Sequence, residues 1–192
     1  MKRLLATSLL SSLLCLPAFA ALNPGDAAPD FTTQASVNGK ALTYALKDAL
    51  KKGPVVVYFY PSAYTGGCNL QARTFSQNID KFNAVGATIV GVSLDSIERL
   101  NQFSADPEYC AGKFAVASDA DGSIARSYQL NIRPAREEAK DTRGIAIDHG
   151  FAERTTFIVT PDGKVAATVG GVTPVENVEQ SLAAVVKLKA GK

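Results

Sequence analysis

Apolar positions along the chain switch between two spacings, and the switches mark out its elements. From Pro54 to Tyr60 the sequence reads Pro-Val-Val-Val-Tyr-Phe-Tyr, a β-branched and aromatic run that predicts a buried central strand. After the turn Pro61–Thr65, Phe75, Ile79 and Phe82 recur at i, i+4 and i+7, which predicts an amphipathic helix over about 66–82 packed on that strand. The same reading gives a strand at 87–94, a helix at 96–105, a short strand at 114–117, a short helix and a polar insertion from 131 to 150. A hairpin of 154–160 and 165–170 follows across Pro161-Asp162-Gly163-Lys164. The last helix carries Val178, Leu182, Val185 and Leu188 at helical spacing. Strands alternating with helices and closed by a hairpin predict an α/β sandwich, a mixed central sheet with helices on both faces.

This pattern sets Cys68 in the first turn of the helix over 66–82. Free backbone N–H groups and the positive end of the helix dipole favour an anion there, and so a thiolate. Ionisation alone is a modest device: lowering a cysteine pKa from ~8.5 to ~6 raises the thiolate fraction at neutral pH about thirtyfold, and nucleophilicity falls in part with it. A catalytic cysteine also needs groups that stabilise its transition state. The Thr65 hydroxyl, three residues before the sulfur, can accept from one reacting group and donate to another or cap the helix; Pro61 fixes the turn and shields one side from water. Gly66-Gly67 weakens the helix start.

The N-terminus changes the setting. Met1-Lys2-Arg3, an apolar run from Leu4 to Leu16, and Ala18-Phe19-Ala20 before Ala21 form a secretory signal with an A-x-A-type cleavage site. The run is too short to span a bilayer. Cleavage after Ala20 would leave residues 21–192 as one domain, with 18 of the 20 basic residues against 18 acidic ones. A charge near zero gives no reason to invoke nucleic acid or a membrane surface as partner. The expected address is the bacterial periplasm or the exterior. Cys15 leaves with the leader, so Cys68 and Cys110 remain in an oxidising compartment, the count for one disulfide. With no CxxC and His149 as the lone histidine, a zinc site, a dithiol motif and a Cys-His hydrolase all lack residues. His149 falls in the polar insertion, whose charge-dense run from Arg133 to Arg143 reads as a solvated loop.

Pro61-x-x-x-Thr65-x-x-Cys68 after an apolar strand resembles the peroxiredoxins, the alkyl hydroperoxide reductase and thiol-specific antioxidant family, and is similar to their bacterioferritin-comigratory (PrxQ-like) branch. Ala28-Pro29-Asp30-Phe31, Val90–Asp95, Ser118–Gly122 and Arg154-Thr155-Thr156-Phe157 are similar to family landmarks in the family's order, covering the chain from about residue 22 onward. The resemblance implies a thioredoxin-like fold with peroxiredoxin additions. It also implies a peroxidatic Cys68, a pocket made by Pro61 and Thr65, and Arg154 as the cation beside the sulfur. Cys110, beyond the Asp106-Pro107 break, lies where some single-chain peroxiredoxins place a resolving cysteine; a buried structural thiol is the other reading. Implied partners are a peroxide and an external thioredoxin-like dithiol reductant, with the chain a monomer or homodimer. No metal, haem, flavin or other cofactor is implied. The chain departs from its relatives at Asn69 and Gln71, where they often have Thr and Glu, and at Arg73, where some have a resolving cysteine. A thioredoxin-like thiol-disulfide carrier, or a redox-sensing or binding protein without peroxidase turnover, stays open as the alternative.

Overall fold

The computed structural model describes residues 21–191. The leader expected over 1–20 lies outside the described residues. A seven-stranded mixed sheet runs through the molecule. Its strands are β1 (Thr32–Val37), β2 (Lys40–Ala45), β3 (Val55–Phe59), β4 (Thr88–Ser93), β5 (Ala115–Ser118), β8 (Thr155–Val159) and β9 (Val165–Gly170), in the spatial order β2-β1-β5-β4-β3-β8-β9. The pairs β3–β4 and β4–β5 are parallel; β1 joins β5, and β8 joins β3, antiparallel. A separate two-stranded ribbon, β6 (Ile132–Arg133) with β7 (Phe151–Ala152), brackets the insertion.

The predicted central strand is β3, and every residue of it is buried. Its side chains alternate between two apolar clusters, Val55, Val57 and Phe59 on one face, Val56, Tyr58 and then Tyr60 on the other. Helices α1 (Leu46–Leu50) and α4 (Ser123–Ser127) cover the first face; α2 (Gly66–Ala84), α3 (Ile97–Ala105) and α5 (Pro174–Ala190) cover the second. Phe75 of α2 is fully buried, its ring 4.6 Å from that of Tyr58. Truncating it to Ala would cost about 3–5 kcal/mol. Tyr58 in turn lies so close to β4 that a side chain at Gly91 would meet its ring at 2.5 Å.

The β1–β2 hairpin is absent from the sequence prediction. β2 is the exposed edge strand, and β1 mixes small and polar residues of which only Ala35 and Ser36 are buried, which hides the period-2 signal. The turn Asn38-Gly39, with φ of 49° and 76°, is the feature that marks it, because a two-residue hairpin turn of this type needs both central residues left-handed.

Candidate active site

The end of β3, the start of the antiparallel β8 and the first turn of α2 make the site. The chain leaves β3, turns through Pro61–Thr65 and enters α2 at Gly66, so Cys68 occupies the helix's first turn as the hydrophobic pattern predicts. That turn holds no acidic side chain, and Thr65 at the N-cap gives no side-chain hydrogen bond to the helix. The capping role expected of Thr65 is therefore corrected: its hydroxyl donates instead to the Ser62 carbonyl, at 2.8 Å. With that proton committed, the Thr65 oxygen faces any incoming group as an acceptor. The Cys68 thiol is 2% exposed.

Arg154 sits just before β8, and the antiparallel pairing of β8 with β3 brings it alongside α2. Its Nη2 lies 3.3 Å from Cys68 Sγ, while Nη1 donates to Gln71 Oε1, one helical turn on. Gly67 makes the room. A Cβ there would stand 3.2 Å from Arg154 Nη2 and 3.4 Å from Pro174 at the start of α5. Gln71 passes its other end, Nε2, to Asn177 Oδ1 of α5 at 2.9 Å.

Pro61 and Thr65 form one wall of a cleft of about 360 Å³, whose other wall comes from the insertion: Arg133, Arg136, Glu137, Lys140 and the apolar Ile147 and Phe151. The expectation of a wholly solvated loop at Arg133–Arg143 is thus corrected, since part of the run faces the site and Asp141 is buried. An ionic clasp ties the insertion to the turn before Cys68. Buried Asp95 accepts from the Ala63 N–H at 2.7 Å and from the Ser62 hydroxyl at 2.9 Å. His149 Nε2 also reaches Asp95, at 2.8 Å. Arg99 Nε lies 2.9 Å from the same carboxylate, in ion-pair contact without hydrogen-bond alignment. Arg99 then bonds Asp141 at 2.8 Å, and Arg143, also on Asp141, lays its guanidinium 3.4 Å over the Tyr64 ring. Thr142 donates twice to the Tyr64 carbonyl. Tyr64 holds φ of 60°, a left-handed conformation that these contacts sustain. Burial pushes the Asp95 carboxyl up, but its bond to His149, the charge there and the bonds from Ala63 and Ser93 hold it below the usual carboxylate range. Burial lowers His149, and the Asp95 bond and charge more than reverse this.

Cys110 lies in the turns after α3, free like Cys68 and buried in the same apolar cluster. Burial, with Asp106 adding to it, pushes its thiol well above the ordinary range. Among the described residues no group of three or more His, Cys, Asp or Glu is arranged to hold a metal ion.

The AhpC/TSA family model matches residues 24–168. The chain belongs to the AhpC/TSA family. Its fold is the thioredoxin-like fold of the peroxiredoxins, and the protein is a thiol peroxidase, an oxidoreductase. It is similar to the peroxiredoxin Bcp of Xanthomonas campestris pv. campestris, with 32% identity over 111 residues, 58% of this chain and 62% of that relative's length. Among solved structures it is similar to peroxidoxin BcpB of Mycobacterium tuberculosis, at 26% identity and a TM-score of 0.72 over 86% of this chain and 97% of the other. A structure of the Xanthomonas campestris bacterioferritin comigratory protein, described by its alkyl peroxide reduction activity, matches at 26% identity and a TM-score of 0.66, over 88% of this chain and 99% of that one.

In this peroxiredoxin the sequence-predicted residues fall into two groups. Cys68 and Arg154 touch, with Pro61 and Thr65 lining the cleft beside the helix start, whereas Cys110 sits in the apolar interior. Asn177 and the Asp95 clasp were not read from the sequence. Gln71 stands out in the sequence as a departure from the relatives, but nothing there points to its partner Asn177.

Proposed function

We propose that Cys68 is the nucleophile of an exported thiol peroxidase acting on hydrogen peroxide or organic hydroperoxides. The observation that carries this is the guanidinium of Arg154 at 3.3 Å from Cys68 Sγ, on a helix N-terminus free of acidic or capping side chains. Cys68 thiolate attacks the distal peroxide oxygen, the O–O bond breaks, and the departing oxygen takes a proton to leave as water or alcohol. Cys68 becomes a sulfenic acid. Arg154 stabilises the charge on sulfur and the charge developing on oxygen, donors aimed at developing charge being a large catalytic contribution. Thr65 accepts from the peroxide hydrogen, and Pro61 excludes water.

Cys110 then condenses with the sulfenic acid, releasing water and forming an internal disulfide, which an external dithiol protein reduces by exchange. Both thiols are buried, so this step needs local opening. Exposure in the opened segment also removes the burial that holds Cys110 protonated. Two features border weak points: Gly66-Gly67 before Cys68, and the turn after α3, where Ala111 and Gly112 carry φ of 51° and 68°. The leader read over residues 1–20 supports export to the periplasm or beyond, and an intact mass beginning at Ala21 in that fraction checks it.

Stopped-flow peroxide consumption by the reduced protein tests the peroxidase assignment of Cys68, and retained fast consumption by Cys68→Ser would overturn it. Intact mass after one equivalent of peroxide tests resolution. Loss of two hydrogens in a monomeric chain is the expected result; a stable gain of one oxygen in the wild type would contradict the role of Cys110.

A further inference from the structure

The turn that carries Cys110, over 106–113, is fastened at its two ends by different neighbours. At its far end the Gly112 N–H donates to the Ser104 carbonyl at 2.8 Å, Lys113 Nζ donates to the Ser76 carbonyl of α2 at 3.0 Å, and a Cβ on Gly112 would stand 2.9 Å from Asn38 of the β1–β2 turn. That end is anchored. The near end is gripped from outside by Arg73, two turns into α2, which donates from Nε to the Glu108 carbonyl at 2.8 Å and sets Nη2 3.3 Å from the Glu108 carboxylate. The same guanidinium lies 5.8 Å from the centre of the Tyr109 ring. These contacts are unequal. The Arg73 and Glu108 side chains are 46% and 68% exposed, and an ion pair so placed contributes little. The bond to the Glu108 carbonyl joins a charged donor to a fixed backbone acceptor, and with the contact on the Tyr109 ring it carries the grip. Tyr109 also meets Phe103 at 5.7 Å and, edge-on at 5.8 Å, Tyr64 of the turn before Cys68.

We propose that Arg73 times resolution: by gripping the Cys110 turn it acts as a positioning residue for the second thiol and sets how long the Cys68 sulfenic acid persists. The inference rests on the reading of Cys110 as the resolving cysteine above. For the disulfide to form, the Cys110 sulfur must reach the Cys68 sulfur and displace its hydroxyl, which leaves as water with the thiol proton. Both turns have to open for that. Little resists on the Cys68 side, because oxidation to a neutral sulfenic acid removes the charge that Arg154 attracts, and the helix start has Gly66-Gly67 and no side-chain cap. Opening there also takes Tyr64 away from Tyr109. Arg73 lies beyond the first turn of α2 and keeps its hold, so release of the Cys110 turn is the slower of the two openings. In the interval a second peroxide can oxidise the sulfenic acid to a sulfinic acid, the peroxide itself leaving as water or alcohol.

The test pairs a measurement of opening with a measurement of resolution in the wild type and in Arg73→Met, which keeps an apolar stem and loses the guanidinium. In reduced protein carrying Cys68→Ser, Arg73→Met should raise both the alkylation of Cys110 by iodoacetamide and the amide hydrogen exchange over 107–110 about tenfold. With Cys68 present, the rate constant of the first reaction with peroxide should change less than about twofold, since the two sites are separate. Disulfide formation, followed by quenched intact mass, should quicken about tenfold, and sulfinic acid at excess peroxide should fall with it. Glu108→Gln, which leaves the carbonyl in place, should move each of these less than about twofold. Tyr109→Leu, removing the ring alone, gives a second variant with a smaller effect in the same direction should Arg73→Met not fold. Unchanged alkylation and exchange at the Cys110 turn, or disulfide formation no faster in Arg73→Met, would overturn the timing role. A wild type that forms no internal disulfide would overturn the reading of Cys110 and the timing with it, while the alkylation and exchange arm, which needs no peroxide, still decides whether Arg73 holds the turn.

Discussion

Two cysteines share one apolar cluster, and only one of them is built to react. Cys68 and Cys110 are both free, at 2% and 0% exposure. Depth therefore does not separate them. Cys68 faces a helix N-terminus and the Arg154 guanidinium, whereas Cys110 faces apolar side chains and the Asp106 carboxylate, and its thiol is pushed up. Magnitudes say which of the two features at Cys68 dominates. A helix terminus stabilises a nearby charge by about 0.3–1 kcal/mol. Unit charges about 4 Å apart attract by about 4 kcal/mol at an effective dielectric constant near 20. Arg154 is thus the main distinction between the two thiols, and whatever aims it controls the site.

The contrast breaks first at the sulfurs. Cys68→Ser should abolish peroxide consumption, while Cys110→Ser should still consume one equivalent and then hold an oxygen on Cys68 or overoxidise; stopped-flow and intact mass read both. Arg154→Met should leave the fold in place by circular dichroism and slow the reaction with peroxide about 10²- to 10³-fold, making Cys68 behave more like Cys110. An effect below about tenfold would remove Arg154 from the site. Thr65→Val, losing one acceptor while Arg154 stays, should cost about tenfold in kcat/KM for peroxide.

The smallest effect concerns the clasp, which holds the turn and leaves both sulfurs untouched. His149 is raised, so its contribution to stability is complete below its ordinary value, near about pH 6.5, and is lost as pH rises through the folded value above that. Asp95 is lowered, so its contribution is present above its ordinary value, near about pH 4, and is lost as pH falls through the folded value below that. Urea unfolding between pH 6 and pH 9 should show the wild type losing stability relative to His149→Gln. Parallel curves would remove the ion pair from the account.

What the sequence made legible follows the range of each interaction. The central strand, the turn and the helix carrying Cys68 are contiguous, so period and turn chemistry reveal them. Arg154 is 86 residues from Cys68, and the resemblance, not spacing, pointed to it. Asn177 carries no signal of its own, since a lone polar residue on an apolar helix face looks like an interruption. The clasp was hidden because charge density reads as solvation: Asp141 sits within the run Arg133–Arg143, and its partner Arg99 lies 42 residues away. Thr65 shows the reverse case, where position predicts a cap and the hydroxyl turns to Ser62 instead.

Site-resolved competitive alkylation tests the central claim most directly. Fully reduced protein at neutral pH is given limiting iodoacetamide, and the label at Cys68 and Cys110 is counted by peptide mass spectrometry over time, in the wild type and in Arg154→Met. Cys68 should label at least about a hundredfold faster than Cys110, and Arg154→Met should close most of that gap. Equal labelling of the two cysteines in the wild type, or a gap that Arg154→Met leaves unchanged, would contradict the account.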